Sequence, residues 1–245
     1  MSNIVKKAIG VLKSPKKRTI ILAQRGFFKN MSDENFLKMQ FKNVFGYPLD
    51  LNNPKTYSEK LQWLKLYDRK PEYTMMVDKY EVKKYVASQI GEEHIIKTLG
   101  VWDHFDDIDF AQLPNRFVLK CTHDSGGLVI CTDKSKLDLA AAKKKIEKSL
   151  KNDYYMQNRE WPYKNVKRRI IAEEYMVDES GYELKDYKIF AFDGEAKAMF
   201  IASDRTNPNE ETKFDFFDMD FNHLPFTNGH PNSKEWDKIK RPKGL

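Results

Sequence analysis

Between residues 30 and 69 the apolar positions recur at three- and four-residue steps, and the breaks between them carry the chemistry of helix ends. Ser32-Asp33-Glu34 opens one predicted helix, and Ser58-Glu59 caps a second that carries Leu61, Trp63, Leu64 and Tyr67. Pro48 and Asn52-Asn53-Pro54 punctuate the stretch. Asp78 then caps a predicted helix with Tyr80, Lys83 and Lys84 on successive turns and a stop at Gly91. Farther along, β-branched and aromatic runs take over. Residues 116–121 read as a strand, 128–131 as its return and 122–127 as the turn between them. A helix follows from Asp133 or Ser135 through residue 151, apolar at Leu139, Ala142, Ile146 and Leu150. Strands are predicted at 169–176, 185–192, 195–203 and 214–221, and Asp193-Gly194 is the clearest hairpin signal in the chain. A helical lead followed by antiparallel hairpins gives an α+β fold class.

The first residues form a pattern of their own. Ile4, Val5, Ala8, Ile9 and Leu12 fall at helical spacing with Lys6, Lys7 and Lys13 turned away, and Pro15 is expected to end that helix. Such a segment suits either a docking helix with a solvated basic face or contact with an anionic membrane surface through residues 1–18. Charge sharpens the contrast. The 245 residues hold 43 Lys and Arg against 36 Asp and Glu, a formal charge of +7. Residues 1–30 hold eight of those cations and no acid, which leaves the rest of the chain at −1. The basic excess therefore belongs to the lead and not to a nucleic-acid-binding body. Trp63, Trp102, Trp161 and Trp236 also lack the basic interleaving of a nucleic-acid platform. No run of eighteen apolar residues is present, no signal-peptide pattern opens the chain, and Cys121 and Cys131 make no disulfide scaffold. A cytoplasmic setting follows as the expectation, with the inner membrane face as a site of contact.

Two segments carry candidate chemistry. In the first, Lys120 ends a strand and Ser125-Gly126-Gly127 follows, a turn whose backbone N–H groups could approach a phosphate or whose glycines could simply permit positive φ. The second runs from Ile170 to Met176 and on to Asp186-Tyr187-Lys188, where Asp186 could accept from ribose hydroxyls and Lys188 shares its strand face, or where the polar residues simply meet solvent. Asp218-Met219-Asp220 offers a D-x-D that could hold Mn²⁺ against a nucleotide sugar if both carboxylates share a strand face, although Asp107-Ile108-Asp109 repeats the pattern. Arg159, Lys164, Lys167, Arg168 and Arg169 form a local basic cluster open to anions. His94, His104, His123, His223 and His230 show no zinc spacing with the cysteines.

These residues resemble a family. Asp78-Lys79-Tyr80, Phe117-Val118-Leu119-Lys120 with its Gly-rich turn, Ala172-Glu173-Glu174-Tyr175, and Asp186-Tyr187-Lys188 before Asp193-Gly194-Glu195 are similar in order and spacing to the ATP-grasp superfamily. Gly100-Val101-Trp102, Arg159-Glu160-Trp161-Pro162-Tyr163 and Phe216-Phe217-Asp218 narrow the likeness to the TupA-like ATP-grasp proteins of bacterial surface-polysaccharide and teichuronopeptide synthesis, often labelled glycosyltransferases. The resemblance implies ATP and Mg²⁺ between two α+β subdomains. Lys79, Lys120, Ser125, Gly126 and Gly127 would meet phosphates, Glu173, Glu174, Tyr175 and Met176 the adenine, Asp186 the ribose, and Lys188 and Arg205 the transferred phosphoryl or acyl-phosphate.

It implies in turn a ligase that activates a carboxylate, with a polysaccharide or cell-wall precursor as acceptor. The alternatives are a glycosyltransferase at Asp218 and Asp220 with Mn²⁺, and a non-catalytic subunit at a membrane. The implied organisation is a basic lead (1–30), a helical segment (31–77), a nucleotide-facing subdomain (78–168) and an incomplete second subdomain (169–245). The chain stops at Leu245 before the acidic, Gly-rich strand pair that carries the family's metal ligands, so the metal residues are left unassigned and weak nucleotide binding at most is expected.

Overall fold

In the computed structural model, which describes residues 14–178, 181, 184–205, 209–242 and 245, Pro15 opens a helix, and whether it also ends one lies outside the described residues. It is the first residue of α1 (Pro15–Gln24), where its fixed φ and missing N–H cost nothing. The amphipathic pattern at residues 4–12 lies outside the described residues.

The chain divides into two units, Met1–Tyr175 and Met176–Leu245. Each holds an antiparallel four-stranded sheet; the helices belong to the first, and the second has among its described residues only strands and the short 3₁₀ turn Trp236–Lys238, so the chain as a whole is α+β. The sequence reading drew a boundary at residue 168. The sheet moves it, because the strand that follows residue 168 pairs on both sides with strands of the first unit.

The first unit begins with helices whose ends are written locally. In α2 (Asp33–Phe45) the Ser32 side chain accepts from the Asn35 N–H at 3.3 Å, and Gly46 at φ 80° closes the other end. Phe36, Leu37 and Phe41 of α2 are buried with Ala23, Leu49 and Leu51. The next helix, α3 (Tyr57–Tyr67), is capped by Thr56 and not by Ser58, because Thr56 and Glu59 exchange backbone and side-chain bonds in a capping box. After α4 (Glu72–Val77), Asp78 accepts from the N–H groups of Tyr80 and Glu81 and so starts α5 (Glu81–Ile90), which stops at Gly91 as expected.

Its sheet has the order β1-β4-β2-β3, from β1 (Thr98–Trp102), β2 (Phe117–Cys121), β3 (Leu128–Cys131) and β4 (Ile170–Glu174). β2 alternates between a core face of Phe117, Leu119 and Cys121 and a second face carrying Val118 and Lys120. Ala142 and Ile146 of α6 (Leu139–Leu150) cover the core face. That helix starts at Asp138, whose carboxylate accepts from the Ala141 N–H, while Asp133 caps a separate short turn at Lys134–Lys136. A short helix, α7 (Tyr155–Asn158), precedes β4.

The second unit orders its strands β5 (Asp186–Phe192), β6 (Glu195–Ser203), β7 (Lys213–Asp218) and β8 (His223–Leu224) in sequence. Asp193 and Gly194 both take positive φ, at 51° and 79°, which is what a two-residue hairpin between right-twisted strands requires. Met199, Ile201 and Phe217 form the centre of its core, with Phe221, Ile239 and Leu245 packed against it. β7 ends at Asp218, short of the expected residue 221, because the Asp218 carboxylate accepts from the N–H groups of Asp220 and Asn222 and folds the chain into a turn.

Candidate functional site

On the face of the first sheet opposite α6, β2 and β4 run antiparallel with Val118 opposite Glu173 and Lys120 opposite Ile171. Glu173 and Lys120 are thus diagonal neighbours, and the Glu173 carboxylate, 4% exposed, accepts from the Lys120 ammonium through one oxygen. Its other oxygen meets Lys83 of α5 at 2.5 Å, and Lys83 also donates to the Ile96 carbonyl. Burial alone would raise the Glu173 pKa. The hydrogen bonds and charges of Lys120 and Lys83 outweigh it and hold the carboxyl below its ordinary range.

Lys79 stands between Asp78 and α5 and points at the same turn. Its N–H donates to the Thr122 carbonyl at 3.2 Å, and its ammonium donates to the carbonyls of Cys121, at 3.1 Å, and Asp124. Its pKa falls below the usual lysine value, chiefly through burial; the charge of Lys120 pushes the same way against the pull of Asp124. Asp78 itself is buried and pairs with Arg169 at 2.8 Å, and Arg169 reaches Glu81 at the same distance. The backbone of Arg169 exchanges bonds with Thr122, so the start of α5, the start of β4 and the end of β2 are laced together.

The turn is shaped from within. The Asp124 carboxylate accepts from the Gly127 N–H at 3.1 Å and from the Ser149 hydroxyl. Gly127 is required by close approach and not by a positive φ, since a Cβ there would come within 2.5 Å of Cys121 Sγ and 2.6 Å of Ser149 Oγ. Gly126 would meet only Asp124 Oδ2 at 3.6 Å. Ser125 and Gly126 form the exposed tip, where the Ser125 and Tyr154 hydroxyls lie 3.0 Å apart. Among the described residues nothing accepts from the Ser125 or Gly126 N–H. The neighbouring His123 is buried, with Nε2 3.2 Å from the Asn152 carbonyl and its pKa lowered by burial. Burial drives the Cys121 thiol up to about 12, with the Asp124 charge adding to it.

At the end of β4, the Glu174 N–H donates to the Lys97 carbonyl, Tyr175 lies under the Arg116 guanidinium at 4.1 Å, and Met176 is exposed. The basic cluster around residue 160 does not survive as one: Arg159 is 1% exposed, donates to the Phe28 carbonyl at 2.7 Å and stacks on Phe36 at 4.6 Å, so it is a structural cation.

In the second unit, Asp186, Lys188 and Arg205 come together. Asp186 and Lys188, two apart on β5, share a face, and one Asp186 oxygen accepts from both Lys188 and Arg205, the latter at 2.7 Å. Asp218 and Asp220 do not share a strand face. Asp218 caps its own turn, also taking the Asn222 side-chain amide at 2.9 Å. Among the described residues no group of three or more His, Cys, Asp or Glu side chains is placed to hold a metal ion.

The sequence reading assigned Lys79 and Lys120 and passed over Lys83 and Asp124. Lys83 was visible only as one polar residue in a helical pattern, and its partner is 90 positions away. A family model described as TupA-like ATPgrasp matches residues 59–244 of the chain. Searches of the curated proteins and of the solved structures return no match.

Proposed function

Because the chain belongs to the TupA-like ATPgrasp family, we propose that it binds ATP and works as an ATP-dependent ligase in the synthesis of a bacterial surface polysaccharide. The observation that supports nucleotide binding most is the rim of the first sheet. The ammonium groups of Lys83 and Lys120 share the single Glu173 carboxylate, and that of Lys79 has only carbonyl partners among the described residues. Beside them lie the two N–H groups of Ser125 and Gly126 at an exposed tip. An excess of fixed cations next to open backbone donors suits a polyphosphate, which satisfies both at once.

In this reading Lys120 and Lys79 bind phosphate oxygens, with Glu173 and Lys83 fixing the Lys120 side chain so that little order is lost on binding. ATP, when bound, supplies a phosphoryl group that activates a carboxylate for attack by an amine. Asp186 orients Lys188 and Arg205, two cations suited to a developing phosphoryl charge. No step is assigned to a metal ion. That the acceptor is a polysaccharide or cell-wall precursor rests on the family likeness.

A glycosyltransferase at Asp218 and Asp220 is disfavoured, because Asp218 is occupied in holding its own turn. Thermal unfolding of the chain with ATP and Mg²⁺, and separately with a nucleotide sugar and Mn²⁺, tests the choice. A rise in melting temperature with ATP alone is expected; a rise with the nucleotide sugar alone would overturn the reading.

A further inference from the structure

Two adjacent phenylalanines after α1 point opposite ways. Phe28 packs against the helical core, 5.6 Å from Phe36, and its carbonyl is held by Arg159. Phe27 is 70% exposed, more than any other large apolar side chain of the described residues. Its position is fixed by its surroundings. The Phe27 N–H donates to Leu22, the Gly26 N–H to Ala23 and the Lys29 N–H to Gly26, and Gly26 at φ 78° supplies the reversal. Arg25 and Lys29, two positions to either side in the sequence, are exposed as well.

The helix leading to this tip is also oriented. Thr19 and Ala23, four apart, are buried, and Asn43 donates to the Thr19 hydroxyl while Gln24 bonds to Gln157. Arg18, displaced from that buried side, is exposed. The sequence around the tip is one-signed, with eight Lys and Arg and no acid in residues 1–30, whereas the remainder of the chain is nearly neutral.

We propose that the Arg25–Phe27–Lys29 tip, with exposed Arg18 of the helix before it, docks on an anionic phospholipid surface. The charge complements lipid phosphates, and an aromatic ring held out between cations is a side chain that enters the headgroup region while its neighbours remain at the phosphates. A nucleic acid would use the charge equally well but gives no reason for an exposed ring that has no aromatic neighbour among the described residues.

The test is sedimentation of the full chain with vesicles of phosphatidylcholine, with and without phosphatidylglycerol, for the wild type, Phe27→Ser, Phe27→Trp and the Arg25→Glu/Lys29→Glu pair. The wild type should sediment only with the anionic vesicles. The charge reversals should weaken partitioning by about tenfold or more. Phe27→Ser should weaken it by roughly tenfold and Phe27→Trp should preserve it. Because these side chains are exposed, melting temperatures should not change. Equal sedimentation with neutral vesicles would overturn the proposal, as would an unchanged Phe27→Ser. So would tighter binding of an RNA oligonucleotide that the charge reversals abolish and Phe27→Ser leaves intact.

Discussion

Asp78 and Arg169, 91 positions apart, form a buried ion pair at 2.8 Å, and the first of the two residues between Asp78 and the helix it starts is Lys79. One Asp78 oxygen serves the first N–H groups of α5 and the other serves Arg169, which is hydrogen-bonded through its backbone to Thr122. The pair therefore helps fix the Lys79 segment against the turn that follows β2.

Removing one partner of such a pair leaves a charge in low dielectric. Arg169→Ala should lower stability by about 3 kcal/mol, read from urea unfolding, and should weaken ATP binding along with it. Arg169→Lys keeps the charge and should recover part of the stability, but loses the second contact to Glu81.

The turn glycines should respond differently to one methyl group. Gly127→Ala forces a Cβ against Cys121 and Ser149 and should cost roughly 1–3 kcal/mol. Gly126→Ala meets only Asp124 Oδ2 at an ordinary 3.6 Å and should leave the melting temperature within error.

Glu173 gives a pH signature. Its folded pKa lies below the ordinary carboxyl value of 4.5, so its stabilisation is complete above that value and is lost as pH falls through the folded pKa. The difference in melting temperature between wild type and Glu173→Gln should be largest near neutrality and shrink steadily below about pH 4.5. A difference constant with pH would mean that the ion pair with Lys83 and Lys120 contributes nothing.

Neither cysteine should react. Cys121 and Cys131 are unpaired and buried, and the Cys121 thiol is pushed up to about 12. Thiol reagents at neutral pH should label the chain only after denaturant is added.

How much of this the sequence carried depends on how local each signal is. The Asp193-Gly194 hairpin was legible because two positive-φ residues between alternating strands have few other uses. β1 was not: five half-buried residues without alternation, with Gly100 placed where a Cβ would run into the Trp102 indole, look like no strand until β4 is beside them. The helix that Pro15 opens was not read, because a proline fits both after a helix and at its first position. At the site, the family likeness led to Lys79, Lys120 and Glu173, but the ion pairs of Glu173 with Lys83 and Lys120 were not legible. Long-range charge pairing leaves no periodic trace in a sequence.

The most direct measurement is calorimetric titration of ATP into the wild type, Lys120→Met and, as a surface control, Lys143→Met, whose ammonium bonds Asp106 away from the turn. Heat of binding in the wild type and the control, and its loss in Lys120→Met with an unchanged fold, is the predicted result. Equal binding by all three chains would contradict a phosphate site at the β2 turn.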